Sequence, residues 1–150
     1  MALAFRQLTV TPSAPVEDWG FEGLLAAIDR GEVADWRRIA LAVRRDPWGP
    51  VARLLEREVL EAAEDSGVAG ALAAMLRLQR ERWEQQEREE VAAELRALLK
   101  ESGLSQAAFA ERLGTSRTRF NTHLSGKVTP SATSMVRARR VSREASHDRT

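Results

Sequence analysis

Between Gly103 and Pro130 the chain reads GLSQAAFAERLGTSRTRFNTHLSGKVTP, and its helix-starting and helix-stopping residues leave room for two short helices and little else. Ser105 carries an N-cap side chain. Ala107, Phe109, Ala110 and Leu113 then follow at the spacing of one helix face laid on a core. Gly114 stops that helix. Thr115 and Ser116 are again capping types, and the helix they open runs to Leu124 before Ser125-Gly126 ends it. Two capped helices sharing a turn of about three to four residues with a glycine in it have the spacing of a helix-turn-helix.

On the second helix Phe120 and Leu124 are four residues apart, so both face Phe109 and Leu113. The opposite face carries Arg117, Thr118, Asn121 and Thr122, none of which has a reason to be buried. These residue types suit base edges. Arginine donates a fork to guanine O6 and N7, asparagine pairs with adenine N6 and N7, and threonine offers a hydroxyl or a methyl.

The segment from about Glu94 to Val141 resembles the XRE/Cro family of phage-repressor-like helix-turn-helix domains. The resemblance is carried by Gln106, Ala110, Gly114, Ser116, the Ser125-Gly126-Lys127 turn and Thr129-Pro130-Ser131, which opens a further helix. It implies that Gln106 touches the DNA backbone or a base, and that Arg117, Thr118 and Thr122 face the major groove. Two positions depart from the family pattern: His123 stands where isoleucine or leucine is usual, and Leu124 where glutamate is common. The full set expected at DNA is Gln106, Thr115, Ser116, Arg117, Thr118, Asn121, Thr122, Ser125 and Lys127.

The charge distribution agrees with that reading. Residues 1–89 hold 12 Arg against 16 Asp plus Glu, whereas 90–150 hold 11 Lys plus Arg against 6 acids. From Thr115 to Arg143 there are seven basic residues and no acid, the electrostatic footprint of a nucleic-acid binder. A hydrophobic share of 43% with 30% charge is globular, and the dominance of Ala, Leu, Arg and Glu is that of an all-α protein. With no cysteine there is no disulfide and no thiolate metal site, and a cytoplasmic setting is expected. The N-terminus lacks the basic start and apolar core of a signal peptide, and the longest uncharged apolar run, Gly67–Leu76, falls short of the roughly 18 residues of a membrane span.

The rest of the chain divides as follows. Residues 1–16 read as an extended arm, with Phe5–Val10 able to pair as a strand. Residues 17–76 read as a small helical bundle. Phe21, Leu24, Leu25 and Ile28 mark its first helix, Trp36, Ile39, Ala40 and Val43 its second, and Leu54, Leu55 and Val59 its third, closed by Ser66-Gly67. Its tryptophans are expected in core and turn packing. Residues 77–90 read as a charged helical connector of about 21 Å. Only three of the six heptad positions from Leu72 to Glu90 are apolar, so a long coiled coil is not supported. Residues 91–141 form the DNA-binding domain, in which Met135 and Val136 of the closing helix are expected to face the core. Residues 142–150 read as a disordered tail.

No catalytic arrangement, phosphate loop or metal cluster can be assembled; His123 and His147 are the only histidines. The sequence therefore points to a non-enzymatic, cofactor-free protein that binds double-stranded DNA. The leading expectation is a sequence-specific transcriptional regulator, most simply a repressor. It would act as a homodimer joined through spare apolar surface around Trp36, Trp48, Leu72 and Leu76. Two alternatives stand beside it: an antitoxin-like interaction protein whose N-terminal module holds a partner protein, and a structural factor that binds nucleic acid without reading sequence.

Overall fold

A computed structural model describes Leu3 and residues 10–148, so the strand considered at Phe5–Val10 lies almost wholly outside the described residues. Among those residues there is no strand, and seven helices make up most of the backbone. The chain divides between Arg82 and Trp83 into two compact units.

In the first unit a short 3-10 turn, Val16–Asp18, leads into α1 (Gly20–Arg30) and α2 (Val33–Arg45). The next helix, α3, covers 50–62: it is α-helical over Pro50–Leu54, π-helical over Leu55–Val59, and α-helical again over Leu60–Ala62. In the π stretch the Leu60 N–H reaches the Leu55 carbonyl, five residues back. Pro50 sits in the first turn, where its missing N–H costs nothing. Leu24, Ile28, Ile39, Val43, Leu55 and Val59 close the core, as their spacing requires.

The tryptophans of this unit act at helix ends and turns. The Trp19 ring is buried, donates from Nε1 to the Ala14 carbonyl at 3.0 Å, and carries the Arg38 guanidinium 4.6 Å above its face. Arg38 also donates to the carbonyls of Pro12 and Ala14, tying the segment before Val16 to α2. Trp36 donates to the Ala27 carbonyl at 2.8 Å and so serves the C-terminal turn of α1. Trp48 remains 39% exposed.

Two boundaries differ from the sequence reading. The third helix stops at Ala62, because Asp65 accepts from Gly67 N and Val68 N and thereby caps a new helix, α4, which runs unbroken over Ser66–Ser102. Asp29 at the end of α1 accepts from Glu64 N and Asp65 N and fixes that junction. Within the expected connector, Arg80 donates to the Pro47 carbonyl and bidentately to Glu56, so this part of 77–90 packs as part of the first unit. The bond from Arg80 holds the Glu56 carboxyl below its usual 4.5. Leu72 and Leu76, expected to be spare surface for a second copy, instead close the intrachain core.

The second unit comprises α4 from Trp83 onward, α5 (Gln106–Leu113), α6 (Arg117–Leu124) and α7 (Ala132–His147). Its core is Leu95, Phe109, Ala110, Phe120, Leu124, Met135, Ala138 and Val141. Three expectations are corrected here. Ala107 is exposed, because the buried stripe of α5 runs through Phe109, Ala110 and the partly buried Leu113. Val136 is 49% exposed, since Met135, Ala138 and Val141 take the inward positions of α7. The supposed disordered tail from 142 is helical to His147: Ser142 Oγ donates to the Leu98 carbonyl at 2.9 Å, Ser146 Oγ to the Glu101 carbonyl at 3.0 Å, and Ala145 is buried. Small polar residues look like solvated tail in a sequence, yet four apart on a helix they can hydrogen-bond along the end of a neighbouring one.

Two glycines on these helices should respond in opposite ways to alanine. Gly70 lies exposed within α4, and a Cβ there meets nothing within 4 Å, so Gly70→Ala should stabilise the protein by about 0.5–1 kcal/mol. Gly114 also has open space but sits at φ +74°, so Gly114→Ala should cost about 1 kcal/mol through backbone strain alone. Urea titration of the two variants checks this; a shift of both midpoints in the same direction would refute it.

Candidate nucleic-acid interface

The turn between α5 and α6 is built from its backbone outward. Ser105 Oγ accepts from Ala108 N at 3.2 Å and starts α5. At the other end Gly114 N bonds to the Glu111 carbonyl and Thr115 N to the Ala110 carbonyl, with Gly114 left-handed, which is a Schellman closure. One residue later Ser116 Oγ accepts from Arg119 N at 3.1 Å and starts α6. The turn is thus fixed by two serine caps and one glycine.

The orientation of α6 is fixed by its buried side. The Phe109 and Phe120 rings are both fully buried and stack at 5.3 Å with 19° between planes, and Leu124 packs into the same core. At the C-terminal end Arg96 of α4 donates to the Leu124 carbonyl at 2.7 Å and pairs with Glu89 at 2.6 Å. His123 is buried, with Nδ1 at 2.9 Å from the Val128 carbonyl. A carbonyl only accepts, so Nδ1 carries the proton and the ring ties α6 to the loop leading to α7. The two departures from the family pattern thereby have structural uses: His123 pins a loop, and Leu124 adds to the core.

With that side held, Arg117, Thr118 and Asn121 are exposed on the other, and Thr122 beside them is half-buried. The Thr122 hydroxyl donates to the Arg119 carbonyl at 2.7 Å, which leaves its methyl and an oxygen lone pair for a ligand. Gln106 is exposed in the first turn of α5, and Thr115 is half-buried in the turn. Ser116 and Ser125 are exposed, but their oxygens already serve local bonds: the cap to Arg119 N, and donation from Ser125 to the Thr122 carbonyl at 3.1 Å. Lys127 is exposed in the following loop. Among the described residues, Arg117, Arg119 and Lys127 take part in no ion pair. Arg139 differs, for it donates to Glu94 at 2.7 Å; that bond holds the Glu94 carboxyl below its usual 4.5 and the guanidinium above its own.

Sequence reasoning missed Arg96 and Glu89. They stand seven residues apart, two turns along one face, but nothing in the sequence indicates that Arg96 would reach the end of another helix.

A short, serine-capped helix docked by aromatic residues and presenting a polar, basic face after a glycine turn has the arrangement of a helix-turn-helix. Residues 90–146 match a family described as "Helix-turn-helix domain", of the Cro/XRE-like type, and the match covers that segment alone. It points to a DNA-binding regulator. No curated protein and no solved structure matches the chain. Among the described residues no group of three or more His, Asp or Glu is placed to hold a metal ion, and no helix is long and apolar enough to cross a membrane.

Replacing Arg96 tests how much the docking of α6 depends on its C-terminal bond. Arg96→Leu should cost roughly 1 kcal/mol, given its partial exposure, and speed amide exchange across 124–128 while helical circular dichroism persists. Unchanged exchange there would mean that water serves the Leu124 carbonyl equally well.

Proposed function

We propose that the protein is a transcriptional regulator, most simply a repressor, that reads double-stranded DNA by laying α6 in the major groove. The observation that carries this reading is the division of α6 into two faces. Phe120, His123 and Leu124 are buried, whereas Arg117, Thr118 and Asn121, residue types that read bases, are exposed. In this reading Arg117, Thr118, Asn121 and the Thr122 methyl meet base edges. Gln106, Thr115, Ser116, Ser125 and Lys127 lie along the sugar-phosphate backbone, which sets register without reading sequence.

Arg117 and Lys127 should then behave differently. Arg117→Ala should lose about 1–3 kcal/mol on a site selected from a random duplex library and relax preference at one base position. Lys127→Ala should weaken binding to every duplex alike and reduce the slope of log affinity against log salt by about one unit. Equal losses for Arg117→Ala on all sequences would move that arginine to the phosphates; a library from which no sequence is enriched would favour the structural, non-reading alternative.

We further propose that the protein works as a homodimer on two half-sites about 34–36 Å apart, since one helix-turn-helix reads only a few base pairs. With Leu72 and Leu76 in the core, the large apolar residues exposed among the described residues of the first unit are Val33, Leu41, Trp48 and Leu78. Sedimentation equilibrium of the intact chain should give a dimer, and Leu41→Glu should shift it toward monomer. A monomeric intact chain would refute the proposal.

A further inference from the structure

A cavity of about 420 Å³ opens in the second unit between the α5–α6 turn and the first turns of α7. It does not belong to the face proposed to read bases. At about 100° per residue, Arg119 points roughly 130° away from the centre of the face formed by Arg117, Thr118, Asn121 and Thr122, on the same side as His123. Arg119 and His123 line the cavity from α6, and Arg137 lines it from α7. Neither arginine makes an ion pair or a side-chain hydrogen bond among the described residues. Thr115 adds a hydroxyl, while Leu113 and the half-exposed Val128 supply apolar wall.

Two unpaired guanidiniums with no carboxylate on the lining select for negative charge, and a guanidinium fork fits a planar carboxylate with two parallel bonds. The apolar wall asks for more than a bare anion, because an inorganic ion leaves Leu113 and Val128 in water. The volume lies in the range of small-molecule sites. We infer that this cavity binds a small organic carboxylate with an apolar body, held by Arg119 and Arg137. The inference goes beyond DNA recognition and does not rest on it: the lining runs from Leu95 of α4 to Arg137 of α7, and of its residues Thr115 alone is among those proposed to lie at DNA.

The test uses the full-length protein, labelled with 15N, and three probes: benzoate, which has both features; inorganic phosphate, which has only the charge; and benzyl alcohol, which has only the apolar body. Benzoate should shift the amides of Thr115, Val128 and Ser134 along one saturable curve. Phosphate and benzyl alcohol should each bind at least about tenfold more weakly. Arg119→Gln and Arg137→Gln, both exposed and therefore compatible with folding, should each weaken benzoate about tenfold while leaving the rest of the spectrum in place. Four results would overturn the inference: no saturation with benzoate, phosphate binding as well as benzoate, benzyl alcohol binding as well as benzoate, or undiminished benzoate binding by both variants. If a variant alters the whole spectrum, the comparison of the three probes on the parent chain still decides.

Discussion

The stacked rings of Phe109 and Phe120 are the contact on which the second unit depends. A helix of eight residues is too short to persist in water by itself, so α6 exists because one side of it is held. An aromatic pair in offset contact adds about 0.5–1.5 kcal/mol beyond the apolar area it buries. Its larger effect is geometric. Once Phe120 is committed to the core, helical periodicity decides where every other residue of α6 goes, and Arg117, Thr118 and Asn121 have no inward position left. Arg96 and His123 then hold the far end and the exit loop, so the outward face is presented by a helix restrained along its whole length.

This dependence explains why so much of the second unit was legible in the sequence. Capping serines, the glycine stop and the apolar spacing of Phe109, Leu113, Phe120 and Leu124 are local signals, and local signals can be read from neighbouring residues. What escaped was side-chain reach across elements. Whether Ser142 and Ser146 face solvent or the carbonyls of α4 depends on where α7 lies, and sequence spacing cannot supply that. The same is true of Arg96 at the end of α6. Ala107 was misplaced for a different reason: alanine is compatible with either side of a helix, so the pattern of α5 admitted more than one buried stripe.

In the first unit the division is similar. Helices α1 and α2 follow their apolar periodicity, and Pro50 begins α3 as its chemistry favours. The boundary between α3 and α4 was harder, because Ser66-Gly67 reads equally well as a stop and as a start. Asp65 resolves it by capping α4 with one carboxylate oxygen shared between two amides. The π-helical stretch has no mark in the sequence; Leu55 and Val59 lie in the core on either reading of the helix. Trp36 and Trp48 show how poorly an aromatic residue's identity alone forecasts its exposure: one is drawn in by a single carbonyl, and the other keeps much of its ring at the surface.

The middle of α4 differs in kind from everything around it. From Glu81 to Glu87 every residue is exposed, and beyond the helix's own backbone bonds the side-chain support nearby comes from short pairings such as Gln85 with Arg88 and Gln86 with Glu90. Such pairs stabilise a helix by only a few tenths of a kcal/mol each, about 0.2–0.5. No core residue in that stretch has to be exposed for its backbone to open. Its amides should therefore trade hydrogen for deuterium through local fraying, at lower cost than those of the helices packed in either core.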